Sequence, residues 1–160
     1  MANDEHKPEN GMSAHPEKYV FFDKTADAKF QAFGTTLEEA FKNAQEAMMA
    51  IMYDIDEIID QTHDEQQREI LVQGENLEML LYRFLEEVIF SMSAEFFVGL
   101  VEKIQIIHKD DVYKLKALLY GTQSINLESH GEVKAVTYNE MFVKSDEDAG
   151  TYTVQVVVDM

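Results

Sequence analysis

Cysteine is absent from all 160 residues, and Lys and Arg together number 13 against 31 Asp and Glu. Without cysteine there are no disulfides, no thiolate zinc sites and no cysteine nucleophile. No apolar run reaches the roughly 18 residues that a membrane-spanning helix needs, so no membrane partner is expected. Residues 1–17 are charged, contain proline and lack an apolar stretch, so they read as a disordered tail rather than a secretory signal. The remaining residues, 18–160, make one domain, long enough to bury a core without staples. The expected location is inside the cell, cytoplasmic and, in a eukaryote, open to the nucleus as well. The shortage of cations leaves a formal charge of −18. Such a chain repels phosphate backbones, so direct nucleic-acid binding is not expected. It is instead drawn to basic surfaces, including those of proteins that themselves handle RNA or DNA. Solubility alone, or a salt-adapted acidic composition, would give the same charge.

What is present is a legible alternation of elements. Tyr19-Val20-Phe21-Phe22 reads as a short strand, and Ala28 to Phe33 as a second that stops at Gly34. Thr36 followed by Glu39 makes a capping box, the start of an amphipathic helix to about Tyr53. Residues 54–65 are acidic and read as irregular, with Ile55, Ile58 and Ile59 in at most one turn. Glu69 to Gln73 reads as a strand. Asn76 caps a second helix, whose stripe runs through Leu77, Leu80, Leu81, Phe84, Leu85 and Val88. Strands follow at Val101–His108 and Val112–Tyr120 around Asp110-Asp111, then at Glu132–Val143 and Thr151–Val158. The expected class is α+β: a two-layer sandwich with two helices on one face of a mixed, mostly antiparallel sheet.

Familiar catalytic signatures are missing: no Gly-rich phosphate loop, no His-x₃-His pair, no nucleophile elbow. His130, just before Gly131, is the histidine nearest a dense motif. From Glu132 to Tyr138 the residues alternate. Val133, Ala135 and Thr137 are expected on one face, and Glu132, Lys134, Val136 and Tyr138 on the other. Lys134 there is either part of a solvated edge or the partner of an anion, and periodicity does not decide. Asp23 and Asp27 flank the break between the first two strands. Asp159 follows Val156-Val157-Val158 and precedes Met160. Such carboxylates suit a hard cation if the fold gathers them; otherwise they are turn caps and the solvated end of an edge strand.

Four segments in order resemble one family: Tyr19–Asp27 (YVFFDKTAD), Thr36–Phe41 (TLEEAF), Gly131–Tyr138 (GEVKAVTY) and Val156–Met160 (VVVDM). With Gly74–Tyr82 (GENLEMLLY) between them, residues 18–160 are similar to the archeases. The resemblance implies an accessory protein and not an enzyme: an activator of the RtcB-type RNA ligase of tRNA splicing that promotes its guanylylation and multiple turnover. It also implies a divalent-metal site, Ca²⁺ before Mg²⁺ or Mn²⁺, on Asp27 and Asp159 with oxygens of Met160. Lys134 maps to the family lysine, a contact to the partner or its nucleotide chemistry, with Glu132 and His130 as neighbouring candidates. Lys24 stands where the family has histidine, which adds a cation near the site. The segment between His130 and Glu132 is shorter than the family loop. Two other readings stay open: a metal-dependent hydrolase or transferase using the same acids, and an acidic chaperone for RNA-modifying enzymes.

Overall fold

The computed structural model describes residues 17–22 and 27–160, so all of the tail but Glu17, and Lys24 with Asp23, lie outside the described residues. The elements in order are β1 (Tyr19–Phe22), β2 (Asp27–Gly34), α1 (Leu37–Met52), α2 (Ile55–Gln61), β3 (His63–Gly74), α3 (Leu77–Glu95), β4 (Phe97–Lys109), β5 (Val112–Gln123), β6 (Ala135–Asp146) and β7 (Thr151–Asp159).

The class is α+β. The strands form two antiparallel sheets, ordered β1-β2-β7-β6 and β3-β5-β4, where the sequence suggested one mixed sheet. The helices lie between and beside the sheets, and α1 shows why. It buries Ala40, Phe41, Asn43, Ala44, Gln45, Ala47, Met48, Met49 and Met52, far more than one stripe. A helix covered nearly all round must sit against more than one layer. Its two buried amides reach opposite ways: Asn43 Nδ2 donates to Phe33 O of β2 at 2.8 Å, and Gln45 Nε2 donates to Gly99 O of β4 at 2.8 Å. Helix α3 makes the same double attachment. Arg83 Nη1 donates to Gln73 O of β3 at 2.7 Å, while Glu86 Oε2 accepts the Val136 N–H of β6 at 2.7 Å. Three of these side chains satisfy backbone groups on the outer strands β3, β4 and β6, and Asn43 does the same on β2 just beyond its pairing with β1.

Local chemistry sets the ends of the elements. Thr36 Oγ1 accepts the Glu39 N–H at 3.0 Å, and Asn76 Oδ1 accepts the Met79 N–H at 2.8 Å. The Glu39 carboxylate reaches back one residue further than expected, to the Thr35 N–H at 2.6 Å. The stretch read as irregular contains α2, which Asp54 caps through the Asp56 N–H at 3.0 Å. The sequence missed it because seven residues are too short for a periodicity to show. Asp110 and Asp111 turn the β4–β5 hairpin with φ of 55° and 63°. That is the left-handed pair a two-residue hairpin requires, and Asp tolerates it in place of glycine.

Candidate functional site

Strand β7 is an inner strand, held by β2 on one side and β6 on the other, so the edge-strand reading of the terminus is overturned. Five consecutive residues, Val154 to Val158, are buried, which is what coverage of both faces produces. At its end Asp159 stands directly opposite Asp27 across the β2–β7 ladder and opposite Ala135 across the β6–β7 ladder. Directly opposed residues carry their side chains on the same face, with Cβ atoms about 5 Å apart. Two carboxylates at the two extremes of the domain sequence are thereby set side by side.

Like charges in that position repel. Among the described residues neither carboxylate has an ion-pair partner. Among the described residues of β2 the nearest cation is Lys29, two residues along and therefore on the same face. Its Nζ is turned to Glu140 Oε1 at 3.1 Å and lies 5.3 Å from the Phe22 ring centre. Among the described residues the pair of acids thus offers hard oxygen donors that no ion pair engages, which fits a hard cation in ligand type. No three Asp, Glu, His or Cys side chains among the described residues gather closely enough to hold a metal. Asp27 and Asp159 would therefore supply only part of a coordination shell, with the oxygens of Met160 and water as the remaining candidates.

The other expected residues surround this point through their backbones. The Lys134 N–H donates to Asp159 O at 2.8 Å, and the His130 N–H donates to Met52 O at 2.7 Å. A Cβ built on Gly131 would lie 3.7 Å from the Met160 methyl group, so the 130–134 segment runs against the terminus. The side chains of His130, Glu132 and Lys134 are exposed. Strict alternation from Glu132 to Tyr138 does not hold: Val133 and Val136 are both buried. The strand begins only at Ala135, so the three residues before it are free of the two-residue period.

Sequence reasoning passed over several neighbours. Between Thr137 and Phe142 strand β6 bulges away from β7, with Glu140 at φ 56°. Gln155 Nε2 donates to Glu140 O at 2.7 Å, and Gln31 Nε2 donates to Gln155 Oε1 at 2.8 Å, so the bulge is pinned to the sheet four residues along from the acids. The alternation Asp27, Lys29, Gln31 could have revealed two of these residues; nothing local announces Glu140. On the other side Tyr138 stacks on Tyr82 of α3, ring centres 4.3 Å apart. Burial raises the Tyr82 phenol, and the Glu86 carboxylate and Tyr138 beside it add to the rise.

Fold and geometry together define a class: a small α+β protein with two antiparallel sheets, one of which sets carboxylates from opposite ends of the domain side by side at the end of its two inner strands. Residues 19–160 match the Archease protein family (MTH1598/TM1083). The chain belongs to the archease family, which makes it an archease-type accessory protein. It is 36% identical over 149 residues to protein archease of Pyrobaculum islandicum, covering 91% of this chain and 97% of that protein. It is 35% identical over 147 residues to the archease-like protein of Drosophila melanogaster, covering 89% and 90%. The solution structure of Methanobacterium thermoautotrophicum protein 1598 aligns with a TM-score of 0.77 at 33% identity, over 89% of this chain and 99% of that one.

Proposed function

We propose that this protein activates an RtcB-type RNA ligase in tRNA splicing, promoting its guanylylation and repeated turnover. The observation that carries the reading is the in-register pairing of Asp27 with Asp159, with the Lys134 segment fastened to the same residue by its backbone. Asp27 and Asp159 would hold a divalent cation, Ca²⁺ before Mg²⁺ or Mn²⁺, with oxygens of Met160 completing the protein share. When bound, that cation would offset the repulsion between the two carboxylates and supply a Lewis acid at that end of the sheet. Lys134, whose backbone N–H is bonded to Asp159 O, carries an exposed side chain, and its ammonium would suit a carboxylate of the ligase or a nucleotide phosphate. Glu132 flanks it. The acidic surface favours a basic protein partner over RNA itself. This activity belongs inside the cell, where the RNA substrates are.

Multiple-turnover ligation by the cognate ligase, with RNA in excess, tests the reading directly. The protein should raise the number of turnovers per ligase, and Asp27→Ala or Asp159→Ala should remove that gain while leaving the melting temperature near its original value. Equal stimulation by both variants would refute the role of the acid pair. Turnover of a phosphoester by this chain without any ligase would instead favour a metal-dependent hydrolase.

A further inference from the structure

A second surface lies away from the acid pair, where α3 walls one side of the outward face of the β3-β5-β4 sheet. The groove encloses ≈ 850 Å³. Its floor consists of two adjacent rungs. Leu71 of β3 is directly opposite Lys116 of β5, and Lys114 of β5 is directly opposite Ile107 of β4. Each rung therefore sets a large apolar side chain beside an ammonium. Leu71 is 66% exposed, Ile107 45%, and Phe90 on the α3 wall 58%, so three apolar anchors face solvent in one depression. Isolated exposed apolar residues are ordinary; a cluster in a groove is the mark of a binding surface.

The charge of the groove is the reverse of the chain's. Arg83, Lys114 and Lys116 line it, against Glu86 and Glu87, in a molecule of net charge −18. Glu86 is turned to the Val136 N–H and Arg83 to Gln73 O, which leaves the two lysines as the cations directed at the floor. Lys114 has no ion-pair partner among the described residues, and Lys116 lies 3.6 Å from Glu69 across two exposed side chains. Carboxylates repelled elsewhere are attracted here. A second copy of this chain is disfavoured by the mutual repulsion of two strongly acidic molecules, and RNA by the same field and the apolar floor.

We infer that this groove holds an extended segment of a partner protein in which apolar and acidic residues are interleaved. Lys114 and Lys116 recur along β5 at the repeat of about 7 Å that two residues of an extended chain span, so carboxylates two positions apart in the ligand match them. Apolar residues of the segment cover Leu71, Ile107 and Phe90. The groove joins the acid-pair region through α3: Tyr82 stacks on Tyr138, and Glu86 holds Val136, so one partner can engage both. The inference rests on the accessory-protein reading only in requiring a protein partner.

Its test needs no ligase. The full chain, labelled with ¹⁵N, is titrated with a short synthetic peptide interleaving Leu and Phe with Glu, then with the same peptide bearing Lys for Glu, and with oligouridylate RNA. Shifts should concentrate at Leu71, Ile107, Phe90 and Lys114 with the acidic peptide. Both Leu71→Gln with Ile107→Gln and Lys114→Glu with Lys116→Glu should weaken its binding about tenfold. Equal or tighter binding of the basic peptide or the RNA overturns the inference. So does the absence of groove shifts at millimolar acidic peptide, or insensitivity to both variant pairs. Loss of ligase stimulation by Asp27→Ala is a separate result, so failure of either proposal is distinguishable from failure of the other.

Discussion

Asp27 and Asp159 illustrate how residues far apart in sequence become neighbours only after folding. Each alone is an acid at a strand end, yet antiparallel register sets them directly opposite. In the absence of a divalent ion the pair should cost stability, because opposed like charges destabilise by up to about 1 kcal/mol. Asp159→Asn is therefore expected to raise the melting temperature slightly in EDTA. With excess Ca²⁺ the order should reverse, since a ligand that binds only the folded state stabilises it and the variant has lost one of the two carboxylates. Melting curves in EDTA and in CaCl₂ check both signs. Lys29 offers the complementary test. It shares the face of Asp27 and is held off by Glu140 at 3.1 Å. Removing its charge with Lys29→Met should tighten Ca²⁺ binding by severalfold, as expected for about 0.5–1 kcal/mol of repulsion at 7 Å through solvent. Calorimetric titration reads this directly. The sequence made Asp27 and Asp159 visible through motifs. It could not show that β7 is an inner strand, because Val156-Val157-Val158 reads the same at an edge.

Individual elements were largely legible where their chemistry is local. Thr36 and Asn76 announced the helix starts, and Asp110-Asp111 announced a hairpin, because caps and turns depend on neighbours a few residues away. Their energetics are also local. Thr35 donates its N–H and hydroxyl to Glu39, and these two bonds lower the Glu39 carboxyl below the ordinary range. A lowered folded value means the contribution is present above the ordinary carboxylate value of about 4.3 and fades as pH falls through the folded value. Glu39→Gln should therefore lose stability at neutral pH and show a flatter acid limb below about pH 4 in urea titrations. Because Glu39 is exposed, the effect is expected to be a small one. What was not legible is the partition of strands into two sheets. Alternation tells a strand which face to bury but not which strand to pair with. The informative residue is Gln45, wholly buried, which a helical stripe would have made apolar. It donates to Gly99 O and accepts the Val101 N–H at 3.3 Å, where β4 breaks register. Gln45→Leu leaves both backbone groups unsatisfied, at about 1–3 kcal/mol each. Its urea midpoint should fall accordingly, with the slope unchanged.

Across the whole molecule, charge governs two opposite responses to salt. A net charge of −18 strains the folded state by self-repulsion, so monovalent salt should raise its melting temperature until screening saturates. At about 0.15 M the screening length is already near 8 Å, and most of the gain should lie below that concentration. Association with the basic ligase proposed as partner should run the other way, because the same screening removes the attraction between opposite charges. Stimulation of ligation should then decline over the range in which the isolated protein becomes more stable. The two trends separate a docking effect from a folding effect within one titration. The acidic–apolar segment inferred for the α3 groove refines the expectation. Lys114 and Lys116 bind it with charges opposite to those of the remaining surface, so salt weakens their ion pairs while the contacts at Leu71, Ile107 and Phe90 persist. A residual stimulation at high salt that is abolished by Leu71→Gln with Ile107→Gln would place part of the partner's hold in the groove. Complete loss at high salt in the unaltered protein would assign the hold to charge alone.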